Sequence, residues 1–81
     1  ARIDHDCFVG DGCHIAPGAT LSGNVKIGER AWLGTGCCVR QGTTIGDDVV
    51  VGVGAAVVSD LSPGKTYVGV PARPMKIRNS G

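Results

Sequence analysis

The chain has 81 residues, a formal net charge of +1, 14 glycines and only one Trp, one Tyr and one Phe. That length gives a single small domain with a modest core. The charge balance offers no basic block for nucleic acid, and no apolar run spans a bilayer. So few aromatics exclude a conventional bulky core and predict a narrow interior filled by Val, Ile, Leu and Ala.

From the first residues onward the chain repeats. Every sixth residue from Ile3 is a branched aliphatic: Ile3, Val9, Ile15, Leu21, Ile27, Leu33, Val39, Ile45, Val51 and Val57. Ile, Leu and Val make up about a quarter of the chain, so random placement yields this on the order of once in a million trials. Four residues after each aliphatic stands a second inward candidate, mostly small: Cys7, Cys13, Ala19, Val25, Ala31, Cys37, Thr43, Val49 and Ala55. Three residues after it come Asp6, Gly12, Gly18, Asn24, Arg30, Gly36, Gly42, Asp48, Gly54 and Asp60. Gly, Asn and Asp tolerate positive φ, so this column predicts a turn every six residues, with Arg30 as the one misfit.

A spacing of six cannot keep one face of a helix apolar. Short strands separated by identical corners instead predict a solenoid of parallel β-coils, stabilised by neighbour-on-neighbour packing. With three hexads to a coil, residues 3–60 make about three coils. Residues 5, 23, 41 and 59 then share one edge, 11, 29 and 47 a second, and 17, 35 and 53 a third. From Ser59 the pattern decays: Leu61 to Lys65 reads as a loop, Tyr67 to Val70 as a last short strand, and the remainder of 61–81 as a non-helical tail.

Three of the four cysteines (Cys7, Cys13, Cys37) fall in an inward column, so packing explains them and reduced thiols of a cytoplasmic protein are expected; Cys38 points outward. Neither histidine falls in an inward column. His5 sits in a corner between Asp4 and Asp6, where a carboxylate would orient the ring and raise its basicity, as a general base requires. Gly23 lies one coil above it, about 5 Å away by strand spacing, and its backbone N–H is a candidate oxyanion donor. An exposed corner histidine and an ordinary turn glycine account equally well for both. His14 occupies an outward strand position on another face. Two histidines with no cysteine cluster at ligand spacing fall short of a metal site, and no glycine-rich phosphate loop precedes a helix. The chain does not begin with Met and is already in phase at Ile3, which reads as part of a longer protein.

The segments Ile3-Asp4-His5-Asp6-Cys7, Cys13 to Gly28 (with His14-Ile15-Ala16-Pro17-Gly18 and Ser22-Gly23-Asn24-Val25) and Val68-Gly69-Val70-Pro71-Ala72-Arg73-Pro74 resemble the hexapeptide-repeat acetyltransferases. The resemblance is to the sialic-acid O-acetyltransferase and PglD-type sugar group. It implies an all-β fold, the left-handed parallel β-helix, with about three coils and a C-terminal tail. It also implies acetyl-CoA as co-substrate, no metal, an amino or hydroxyl group of an activated sugar as acceptor, and a homotrimer. His5 is then the base, Asp6 its carboxylate support and Gly23 the oxyanion donor. His14, Gly23, Thr35 and Val53 meet acetyl-CoA, and Arg73 lies near the CoA phosphates. The N-terminal sugar-nucleotide-binding domain usual in that group is missing from these 81 residues. A non-catalytic trimerisation module, a serine- or maltose-type O-acetyltransferase and a carbonic-anhydrase-like metalloenzyme are the alternatives on the same scaffold.

Overall fold

The computed structural model describes residues 2–4 and 6–75. Ten two-residue strands recur every six residues: β1 (Arg2–Ile3), β2 (Phe8–Val9), β3 (His14–Ile15), β4 (Thr20–Leu21), β5 (Lys26–Ile27), β6 (Trp32–Leu33), β7 (Cys38–Val39), β8 (Thr44–Ile45), β9 (Val50–Val51) and β10 (Ala56–Val57). β11 (Thr66–Val68) and β12 (Arg73–Pro74) follow. No helix occurs among the described residues, and none is therefore long and apolar enough to cross a membrane.

Each strand pairs in parallel with the strand three along, at a register of one coil: Ile3 with Leu21, Ile15 with Leu33, Ile27 with Ile45. Three sheets result. The first runs β1-β4-β7-β10, the second β2-β5-β8, and the third β3-β6-β9-β11-β12. They form the sides of a triangular prism of about three coils: the repeat predicts the solenoid, and the resemblance implies its form as the left-handed parallel β-helix of hexapeptide repeats. Within the prism both inward columns meet: Leu21, Val25, Ile27, Leu33, Val39, Ile45, Val49, Val51 and Val57 are almost wholly buried, with Ala19, Ala31 and Ala55 between them. Burying each of the larger side chains is worth roughly 1.5–3 kcal/mol, and the one mostly small inward residue of each hexad keeps the interior narrow. Among the described residues the first coil packs against a neighbour on one side, and Ile3 is 49% exposed while Val9 and Ile15 are half-buried.

From Asp6 to Gly54 the turn column behaves as predicted, including at its misfit. Asp6, Asn24, Arg30 and Asp48 adopt φ of 56–61°, and Gly12, Gly18, Gly36, Gly42 and Gly54 lie at 71–80°. Arg30 is held there by the coil above. Its Nε donates to Asp48 Oδ1 at 2.8 Å and its second guanidinium nitrogen to Asp48 Oδ2 at 3.0 Å. This pairing raises the Arg30 pKa and lowers that of Asp48, first through the hydrogen bond. Because the Asp48 carboxyl titrates lower when folded, the pair contributes fully above the ordinary carboxylate range and is lost as acid protonates Asp48. The pair is exposed, and salt screens it. Arg30→Gly removes the left-handed strain together with the pair, whereas Arg30→Ala keeps the strain and loses the pair. Thermal melts will therefore rank Arg30→Gly above Arg30→Ala, with the gap persisting at high salt. The reverse order would mean that left-handed strain at residue 30 is not what separates the two variants.

Past Val57 the coil shortens. Leu61 bridges Ile45 and Thr66 pairs with Val50, each sixteen residues apart instead of eighteen. Leu61, read from the sequence as loop, is buried, and Asp60 leaves the left-handed column so that its carboxylate accepts the Thr44 N–H at 2.9 Å. The last parallel strand begins at Thr66 and ends at Val68, and part of the tail (Arg73–Pro74) turns back antiparallel upon it. Tyr67 closes this end of the core, its hydroxyl accepting the Ser62 N–H at 2.8 Å.

All four cysteines are free. The Cys7 and Cys13 thiols donate to the carbonyls of Ser22 and Gly28 in the next coil, at 3.1 and 3.0 Å. Burial pushes the Cys37 thiol pKa up, which makes it a core residue and a poor nucleophile, while Cys38 is exposed on the first sheet.

Candidate active site

The three edges of the prism differ in chemistry. One edge joins the first and second sheets and stacks Asp4 and Asp6, then Ser22-Gly23-Asn24, then Arg40-Gln41-Gly42, then Ser59-Asp60. The next joins the second and third sheets and stacks Asp11, Glu29 and Asp47. The last joins the third sheet to the first and carries Pro17, Thr35 and Val53 between Gly or Ala. At the last two edges the residue after the strand is nearly always glycine, because a Cβ there meets the backbone of the next coil. At Gly10, for example, it would lie 2.8 Å from the Gly28 carbonyl. The first edge has Asp4, Ser22, Arg40 and Val58 at that position instead, and so presents side chains on every coil.

His5 lies outside the described residues. The corner that carries Gly23 sits against its neighbours in the coil below: the Asp4 N–H donates to the Leu21 carbonyl at 3.0 Å and the Cys7 thiol to the Ser22 carbonyl. Asp6 is exposed. The Gly23 carbonyl accepts the Gly42 N–H at 3.0 Å, and no group among the described residues accepts the Gly23 N–H. At the acidic edge the equivalent N–H, that of Glu29, is taken by Asp47 Oδ1 at 2.7 Å. Among the described residues, Gly23 thus presents an unclaimed donor where its counterpart is tied down.

His14 is on the outward face of the third sheet, the side of the triangle opposite the Gly23 edge. Its ring stacks on Trp32 of the next coil, centroids 5.4 Å apart and planes 11° from parallel. Trp32 was not singled out from the sequence, although it stands eighteen residues after His14, and the coil period alone superposes the two. Thr35 and Val53 are brought together on the bare edge that borders this sheet, where the Gly54 N–H donates to the Thr35 carbonyl at 2.9 Å. Neither the Thr35 nor the Val53 N–H has an acceptor among the described residues. Arg73 is exposed in β12, at the far end of the third sheet from His14. Within one chain, then, Thr35 and Val53 adjoin on an edge that borders the sheet of His14, while Gly23 lies across the prism. No group of three His, Cys, Asp or Glu among the described residues is placed to hold a metal ion.

Repeat, register and corner geometry define a hexapeptide-repeat β-helix, and residues 24–58 match the bacterial transferase hexapeptide family (six repeats). The likeness is to hexapeptide-repeat sugar acetyltransferases in particular. PerB from Caulobacter crescentus, solved with CoA and GDP-perosamine, superposes with a TM-score of 0.89 and is 48% identical, over 90% of this chain and 35% of that one. The acetyltransferase domain of PglB from Neisseria gonorrhoeae FA1090 gives 0.77 at 32% identity, over 91% of this chain and 54% of that one. An acyl-(acyl-carrier-protein)–UDP-N-acetylglucosamine O-acyltransferase of Thiobacillus denitrificans is 37% identical over 80 residues, 99% of this chain and 31% of the relative. The chain thus spans about a third of the length of PerB and of the Thiobacillus relative.

Proposed function

We propose that this chain is the acetyl-CoA-binding, catalytic part of an acyltransferase that acetylates an amino or hydroxyl group of a nucleotide-activated sugar. The observation that carries the reading is the Gly23 N–H, which no described residue accepts, at the one edge where the residue after each strand is larger than glycine or alanine. An amide held there by the β-ladder is a preorganised donor for charge that develops on a thioester oxygen.

In the proposed reaction the acceptor nitrogen or oxygen attacks the thioester carbon while His5, supported by Asp6, removes its proton. The oxyanion of the tetrahedral intermediate is stabilised by Gly23. The C–S bond then breaks, and the CoA thiolate leaves and takes up a proton. The bare edge, where the Thr35 and Val53 N–H groups one coil apart have no acceptor among the described residues, suits an extended amide arm such as pantetheine. Arg73 supplies a cation for the CoA phosphates. Because His14 and Gly23 lie on opposite sides of one prism, a complete site needs two copies. A homotrimer would supply them by setting the third sheet of one subunit beside the Gly23 edge of the next, and PerB, solved with CoA and GDP-perosamine, takes both kinds of ligand that the reading requires.

The test is thiol release from acetyl-CoA by the protein with a panel of nucleotide-linked amino sugars and sialic acid, run beside an acyl-carrier-protein thioester as rival donor. Gly23→Pro deletes the donor at a hexad position where the chain itself carries Pro17, so the backbone accommodates it. We expect a fall in kcat of about 100- to 1,000-fold. Turnover only with the carrier-protein donor would move the chain to the chemistry of the Thiobacillus relative. Neither CoA binding nor turnover would leave a non-catalytic β-helix module.

A further inference from the structure

We propose that Trp32 is a positioning residue for His14, holding the imidazole so that its ring nitrogens face the thioester co-substrate. The inference rests on the reading of His14 as an acetyl-CoA contact.

Parallel pairing of β3 with β6 places His14 directly under Trp32, and pairing of β6 with β9 places Trp32 under Val50. Neighbouring strands are about 4.8 Å apart, so two flat outward side chains in register must stack, and the 5.4 Å, 11° geometry is that stack. The indole lies between a ring below and a β-branched side chain above, which leaves it little freedom to rotate. The imidazole, by contrast, makes no hydrogen bond to a described residue. A histidine is usually oriented by a hydrogen bond to one ring nitrogen, which also fixes its tautomer. Here a flat apolar surface orients the ring and both nitrogens stay available. Such a ring donates to a carbonyl or accepts from an amide, and pantetheine offers both groups. Trp32 remains 41% exposed, so the stack lies at the surface a ligand reaches and is not core packing.

Four variants of the full chain test this: Trp32→Ala, Trp32→Phe, His14→Ala and the double alanine variant. The readouts are KM for acetyl-CoA, kcat, and the emission of Trp32, which is the only tryptophan in the chain. Trp32→Ala is expected to raise KM about tenfold with kcat within about twofold, a loss of ground-state binding. Trp32→Phe keeps a flat ring and should restore most of it. The double variant should be no worse than His14→Ala alone, since the two residues act as one unit. Acetyl-CoA should shift Trp32 emission in the parent protein and not in His14→Ala. Multiplying effects in the double variant, failure of phenylalanine to rescue, or an emission shift that survives His14→Ala would each overturn the proposal. If the parent protein binds no acetyl-CoA, the functional reading itself falls. If it binds and Trp32→Ala binds equally well, only this inference does.

Discussion

His5→Ala is expected to lower kcat for acetyl transfer by about 100- to 10,000-fold, the span over which general-base catalysis contributes, without lowering the melting temperature. The two halves of that expectation have separate causes. Residue 5 lies outside both inward columns, so truncating it removes no apolar contact from the core. An amine or hydroxyl acceptor must lose a proton during attack, and Asp4 and Asp6 beside His5 in sequence supply the negative charge that favours an imidazole able to take it. KM for acetyl-CoA should change little, because the thioester arm is assigned to the other side of the prism. Its steady-state rate profile in pH should also lose the limb that reports the base. Retained kcat in a folded His5→Ala protein would remove His5 as base and leave Gly23 to act on an acceptor deprotonated by other means.

A large structural effect is expected of Gly34→Ala. A Cβ at this buried position would lie 2.8 Å from the Val53 nitrogen, 2.9 Å from the Gly52 carbonyl carbon and 2.9 Å from the Val51 oxygen. All three are backbone atoms of the next coil, so no side chain can swing aside. The coils must separate at a point where the Gly34 N–H donates to the Val51 carbonyl at 2.8 Å. Overpacking of this kind costs about 3 kcal/mol, which for a domain of this size is a fall in Tm on the order of 10 °C or more. Gly54→Ala is the instructive control. Gly54 has φ of 71° but open space around its missing Cβ, so its substitution costs only the left-handed strain, about 1–2 kcal/mol. Differential scanning calorimetry of the pair decides the matter: an equal or larger loss in Gly54→Ala would mean that coil contact is not what demands glycine at 34.

Much of this molecule is legible one residue at a time. Ten aliphatics in phase define the core. The turn column gives the corners, and Asp6, Asn24 and Asp48 adopt the left-handed backbone that their residue types tolerate. Arg30 shows where such reading stops, because its conformation is tolerated through Asp48, eighteen residues away, and a propensity scale does not see that partner. Leu61 and Asp60 show the same from the other side. Once the coil shortens by two residues the period no longer says who stacks on whom, and a residue read as loop becomes core.

Of the candidate site, the sequence by itself determined the scaffold, the inward thiols, the outward histidine and the order of residues along each edge. It did so because a solenoid makes neighbours of residues at a fixed spacing, so periodicity is already contact. Only the tertiary structure decided which of those neighbours are chemically occupied. The Glu29 N–H is taken by Asp47, the Gly23 N–H meets no acceptor among the described residues, and the His14 ring lies flat on Trp32. Those outcomes depend on side-chain reach across coils and on the three-sided closure of the chain, which no count of six contains.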